Sequence, residues 1–184
     1  MPEQATDMKL GPYDLNTIVT GDARLLAQDM PDNSVDLILT DPEYQNIEDY
    51  YWLAQTATRV LKDDRPCLAF CAIGLLPQTH NAMLRGGLAY RWRLIVRPVY
   101  SKEFHGRLCV MTQECLWYEK GKSKLHQSLF DFQYSTRKGL LAVGRSNWGK
   151  GADSLLRFVG AFTRPGDVVV DFFAGSGTVP AACK

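Results

Sequence analysis

Apolar positions along the chain alternate between two periods, one of strands and one of helices. Val35–Thr40 (VDLILT) is apolar almost throughout, which predicts a strand buried on both faces. Leu53, Ala54, Ala57, Val60 and Leu61 then share one face of a helix over Glu48–Leu61, with Glu48 and Asp49 well placed in its first turn. Cys67–Ala72 (CLAFCA) reads as a second apolar strand, and Pro77 opens a helix that Gly86-Gly87 closes. Tyr90–Tyr100 and Leu108–Tyr118 are two longer strands around a polar turn, predicted to pair antiparallel. Asp153–Phe162 is amphipathic, and Asp167–Phe173 is a last strand running into Gly175-Ser176-Gly177 and a helix. Upstream, residues 1–15 carry no periodicity. Asn16–Thr20 predicts a short strand ending in Gly21-Asp22, followed by a short helix from Ala23 to Met30 that Pro31-Asp32-Asn33 breaks.

Strands alternating with helices, followed by a late hairpin, predict an α/β sheet with helices on both faces. Ligands of such sheets sit beyond the carboxyl ends of the strands. Three predicted strand ends carry unusual chemistry and are expected on one edge: Gly21-Asp22, Asp41-Pro42-Glu43-Tyr44, and the turn Phe173-Ala174-Gly175-Ser176-Gly177-Thr178.

Composition narrows the setting. The 184 residues suit one domain with a single core, and 46% hydrophobic with 22% charged residues is ordinary for a globular protein. No apolar run approaches the length of a membrane span, and MPEQATDMKL lacks a signal-peptide pattern, so the expected location is cytoplasmic, with no membrane partner. Five cysteines without a CxxC pair read as buried reduced thiols, with no metal site expected. Net charge is only +1, yet basic residues outnumber acids between Lys102 and Lys150, a bias that suits either phosphate contact or a solvated loop. His80, His105 and His126 show neither metal spacing nor a nucleophile partner.

Two motifs carry the chemistry. In DVVVDFFAGSGT (167–178) a buried strand meets a glycine turn and a helix N-terminus. Glycines let a ligand approach the backbone closely, and free N–H groups favour a negative group. There is no lysine beside the Ser or Thr, which argues against ATP or GTP, and the dinucleotide spacing is incomplete. Asp171 suits an ammonium and the helix N-terminus a carboxylate; an amino-acid moiety has both. At Asp41-Pro42-Glu43-Tyr44, Pro42 stiffens the turn. The Asp41 carboxylate with a main-chain carbonyl suits both hydrogens of an –NH2 group, and Tyr44 offers a face for stacking a planar base. Each motif alone also fits a plain turn.

Taken together, and in this order, they resemble the amino-methylating DNA methyltransferases of the β class. Those enzymes place an Asp-Pro-Pro-Tyr catalytic motif before a Phe-x-Gly-x-Gly cofactor loop. GDARLLAQDMPDNSVDLILTDPEY (21–44) is similar to the family's opening block and RPGDVVVDFFAGSGT (164–178) to its cofactor block. The resemblance implies a circularly permuted, Rossmann-like methyltransferase sheet, mostly parallel with one antiparallel hairpin strand. It implies S-adenosyl-L-methionine as cofactor, bound by Asp22, Asp171, Phe173, Ala174, Gly175, Ser176, Gly177 and Thr178, with the helix Asp153–Phe162 bordering it. Asp41, Pro42 and Tyr44 would hold a flipped base of double-stranded DNA. Asp at the head of the motif favours N6 of adenine over N4 of cytosine.

For DNA contact the resemblance points to a short recognition segment near 120–150, with Lys122, Lys124, Arg137, Lys138 and Arg145 as candidates and Tyr134 and Trp148 as candidate stacking or wedge residues. The implied setting is a bacterial restriction-modification system or a phage. Glu43 stands where the family has a second proline, Phe172 replaces another, and Gly151 follows Lys150 in place of Lys-Pro. The family's ribose-binding strand is expected beyond Lys184, so residues 1–184 read as one methyltransferase domain lacking its C-terminal part. A homodimer or a completing partner chain would supply the rest; the contrasting expectation is a catalytically silent relative that binds DNA or a partner.

Overall fold

The computed structural model describes residues 8–98, 103–135, 152–175 and 177–183. A small hairpin of β1 (Lys9–Leu10) and β2 (Tyr13–Asp14) precedes α1 (Ala23–Leu26), which tightens into a 3-10 turn over Ala27–Asp29. Then follow β3 (Leu37–Thr40), α2 (Ile47–Val60), β4 (Arg65–Cys71), α3 (Leu76–Arg85) and β5 (Ala89–Pro98). The hairpin β6 (Glu103–His105) and β7 (Leu108–Val110) leads to β8 (Gln113–Lys120) and β9 (Phe132–Ser135). The chain closes with α4 (Ala152–Phe162), β10 (Val169–Val170) and α5 (Thr178–Ala182).

Six strands form the main sheet in the order β10-β3-β4-β8-β5-β9. β8 runs antiparallel to both β4 and β5, and the other neighbours pair in parallel, so β8 alone is reversed. The sheet is thus mostly parallel with one antiparallel strand, as the resemblance implied. Both faces are covered, which explains the unbroken apolar runs of β3 and β4. Ile38, Cys67 and Ala69 face Tyr50, Leu53 and Ala57 of α2 in one cluster. Leu37, Leu39, Leu68 and Phe70 face Leu155, Phe158 and Phe162 of α4 in the other. The start of the sheet is tied by Asp36, 1% exposed, which is paired with Lys62 and Arg65 at 2.8 Å each.

Three expectations change in the structure. Residues 15–20 form no strand: Asn16 turns the chain at φ +59°, Ile18 and Val19 are 63% and 46% exposed, and among the described residues no strand pairs with them. Gly21-Asp22 is therefore not a strand end. The span Leu108–Tyr118 divides, because its first part pairs with β6 and only β8 pairs with β5. The predicted strand Asp167–Phe173 shrinks to Val169–Val170, since Asp167 and Asp171 at its ends turn their carboxylates to local partners. Among the described residues no helix is long and apolar enough to cross a membrane.

Candidate active site

β10 and β3 are parallel neighbours, with Val169 beside Leu37 and Val170 beside Ile38. Their ends therefore deliver Asp41-Pro42-Glu43-Tyr44 and the turn after Asp171 side by side at one sheet edge. A side-chain contact joins them. The Thr40 hydroxyl donates to Asp171 Oδ1 at 2.7 Å, and the Phe173 N–H donates to the same oxygen at 3.0 Å. Burial nevertheless pushes the Asp171 carboxyl up to about 6; the two hydrogen bonds pull it down and the nearby Asp41 charge adds to the rise.

Pro42 is buried and Glu43 is exposed, so the departure from the family's second proline places its carboxylate in solvent. Its carbonyl accepts from the Asn46 N–H at 3.1 Å, closing the turn. Tyr44 packs its ring against the α4-side cluster and shares a hydrogen bond with Asp41. Burial first, and Asp41 second, hold this phenol far above its ordinary range, so it stays a neutral donor to the carboxylate. Beneath them, Tyr50 donates to the Phe70 carbonyl at 2.9 Å and fixes the end of β4.

A cavity of about 440 Å³ opens on the outer edge of β10, within the size of small-molecule sites. Asn16, Ile18 and Gly21 wall one side; Asp171, Ala174 and Gly175 the other. Gly175 at φ +50° and Gly177 at φ +78° shape the turn, and a Cβ on Gly177 would stand 3.3 Å from Ile18 Cδ1. Gly175 lines the cradle, and Gly177 leaves room at its Ile18 wall, beside the half-buried Asp171 carboxylate, an arrangement that fits an amino-acid moiety. Phe172 lines the cavity and meets Trp52 edge-on at 5.2 Å, with Phe173 6.1 Å from the same ring.

The other predicted residues fall in different places. Asp22 lies between two lining residues, but its carboxylate caps α1 through the Arg24 N–H at 2.8 Å. Thr178 begins α5. α4 packs under the sheet and contributes no lining residue. Lys122 and Lys124 sit at the opposite edge from Asp41, because β8 is reversed: its Lys120 pairs with Arg65, whereas Glu114 pairs with Cys71 at the Asp41 end. Ser176, Arg137, Lys138, Arg145 and Trp148 lie outside the described residues.

The DNA methylase family model, of the N6/N4 type, matches residues 35–184. The chain belongs to this family. Among solved structures, this DNA methylase is similar to M1.HpyAVI in its complex with S-adenosylmethionine, with TM-score 0.74 and 21% identity over 89% of this chain and 84% of that one. It is also similar to the PvuII DNA methyltransferase, which is cytosine-N4-specific, with TM-score 0.72 and 17% identity over 88% and 75% of the two chains. At such identities the likeness carries the fold.

Two parts of the candidate site escaped the sequence. The wall at residues 13–20 looked like a loose lead-in and a strand, and no local signal marked it. Thr40 did leave one: a polar side chain at the end of an otherwise apolar strand, buried to 1% exposure.

Proposed function

We propose that this chain transfers a methyl group to the exocyclic amine of a base taken out of duplex DNA, and that N6 of adenine is the acceptor. The observation that carries the reading is the junction of Thr40 and Asp171, which holds the Asp-Pro-x-Tyr turn and the glycine cradle at adjoining strand ends. Membership of the DNA methylase family supports it.

S-adenosylmethionine, when bound, supplies an electrophilic methyl. The residues fit its amino-acid end: Asp171 would face the ammonium, and the turn Phe173-Ala174-Gly175-Ser176-Gly177-Thr178 would admit the carboxylate close to the backbone at Ala174 and Gly175, which line the cavity. Gly21 and Asp22 would border the far end. At the acceptor, the amine lone pair is delocalised into the ring, and the chain must counter this. The Asp41 carboxylate and the Pro42 carbonyl accept the two amine hydrogens and draw the nitrogen towards a tetrahedral form. Tyr44 supports the base by stacking, and its hydroxyl on Asp41 keeps that carboxylate from turning away. Orientation does much of the remainder, because both groups are presented from rigid strand ends. Extracting the base costs a few kcal/mol, partly returned by stacking. Residues 1–184 would act as one methyltransferase domain.

Label transfer from methyl-labelled S-adenosylmethionine to unmethylated duplex DNA, followed by digestion to nucleosides and mass analysis, tests this. N6-methyladenine is expected, with transfer abolished by Asp41→Ala. N4-methylcytosine would overturn the choice of base, and DNA binding without transfer would mark a silent relative.

A further inference from the structure

β5 and β9 present a surface that the site described above does not use. Along β5, Leu94 and Val96 are buried towards α4, so Arg93, Ile95 and Arg97 face the other side. On β9, Gln133 and Ser135 are buried and bonded to Arg157 and Asp153 of α4 at 3.0 and 2.6 Å. Phe132 and Tyr134 therefore point the opposite way, 39% and 55% exposed. The parallel register sets Phe132 beside Ile95 and Tyr134 beside Arg97, so these side chains share one face. The two rings meet edge to face at 5.1 Å, and the Arg97 guanidinium lies 5.9 Å over Tyr134. Arg93 is half exposed, while Glu114, its partner at 3.5 Å, is buried. What reaches solvent is an aromatic pair flanked by cations.

That chemistry complements a polyanionic backbone, with the arginines on phosphates and the rings holding the Arg97 guanidinium in place, rather than a neutral apolar partner. Its position matters as much. β5 and β9 run parallel to β3, so Arg97 and Tyr134, next to the last residues of their strands, lie at the same sheet edge as Asp41. Three strand spacings separate β3 from β5, which carries the arginines, and four separate it from β9. At roughly 4.8 Å each this is about 14–19 Å, the rise of about four to six base pairs.

We infer that the Arg93–Arg97–Phe132–Tyr134 face is a DNA contact that grips the duplex backbone about four to six base pairs from the base at Asp41. The inference rests on the reading above that duplex DNA is the substrate.

The test is fluorescence anisotropy of a labelled duplex of about three helical turns, titrated with the full chain across a salt series. Arg97→Gln and Arg93→Gln are each expected to weaken binding about five- to tenfold and to lower the salt slope by about one. Circular dichroism melting confirms that both variants fold; if Arg97→Gln does not, exposed Arg93→Gln decides. Wild-type affinity and slope in the folded variants overturn the inference. So does a wild-type chain that fails to bind duplex at all. Sedimentation adds an independent arm: a dimer split by Phe132→Glu, with DNA affinity unchanged, would assign this face to a second copy and overturn the DNA contact. The expected losses of affinity and slope in the variants, with no methyl transfer by the wild type, would instead count against the methylase reading and leave this surface standing.

Discussion

Thr40 and Asp171, 131 positions apart in the chain, are joined by a 2.7 Å hydrogen bond from hydroxyl to carboxylate. The donor directly precedes Asp41, and the acceptor lies two residues before the glycine turn, so this bond adds to the pairing of β3 with β10 in setting the two halves of the site in register. Thr40→Val keeps the shape of this buried side chain and removes the donor. The bond supports a charged acceptor, so its loss is expected to cost about 1.5 kcal/mol of cofactor affinity, roughly tenfold. Isothermal titration with S-adenosylmethionine checks this, and Thr40→Ser is expected to restore binding.

The raised carboxyl of Asp171 gives the site a pH dependence with two opposite signs. Burial lifts it from 3.8 to about 6, so folding favours its neutral form. The stability it contributes is complete below the unfolded value and is lost as pH rises through about 6. A cationic ammonium needs the ionised form, so cofactor affinity is expected to rise through that same interval. Calorimetry from about pH 5 to about pH 8 should show affinity climbing and then levelling, with the dependence absent in Asp171→Asn. An affinity already level below pH 6 in the wild type would refute the assignment.

How much of this could be read from residues alone differs from one element to the next. β3, β4 and α2 were legible because each buries a continuous or one-sided apolar set, and local periodicity reports burial directly, whereas α3 was legible from Pro77 and Gly86-Gly87 at its ends. Residues 15–20 misled because a strand needs a neighbour; Ile18 and Val19 are apolar, yet they edge a cavity. Asp41, Pro42 and Tyr44 were legible as a motif, whereas the bond to Asp171 was not, since pairing across the sheet leaves no local trace. Lys122 and Lys124 show the same gap. Basic composition was plain, but which edge they occupy depends on β8 running backwards, and that is decided by long-range pairing with β4 and β5.

Gly177 holds a left-handed backbone at φ +78° where an added Cβ would press on Ile18 at 3.3 Å. Alanine there meets both the conformational penalty of about 1–2 kcal/mol and a wall residue of the cavity. Gly177→Ala is expected to lower the melting temperature by roughly 3–6 °C and to weaken cofactor binding as well. Gly175→Ala shares the backbone penalty, but its Cβ would meet only the Phe173 carbonyl at 3.8 Å. It should therefore lose comparable stability while binding suffers less. Paired melting and calorimetry on the two variants separate backbone strain from cavity closure.

Asp36 concentrates the stability of the sheet away from the chemistry. It is 1% exposed, takes Lys62 and Arg65 at 2.8 Å each, and accepts from the Val168 N–H at 2.9 Å, so it ties β3 and β4 to the approach to β10. Asp36→Asn leaves two cations facing a neutral amide. Lys62 and Arg65 keep 43% and 26% of their side chains exposed, so water can take up part of the lost interaction. The expected loss is therefore about 2–3 kcal/mol, at or below the low end for a broken buried pair. The Arg59–Asp32 pair is as short, 2.8 Å, but Asp32 is 67% exposed, and Asp32→Asn should cost under about 1 kcal/mol. Urea unfolding of the two variants decides whether burial, rather than distance, sets the worth of these pairs: a large midpoint shift is expected for Asp36→Asn and a small one for Asp32→Asn. Equal shifts would refute that ranking.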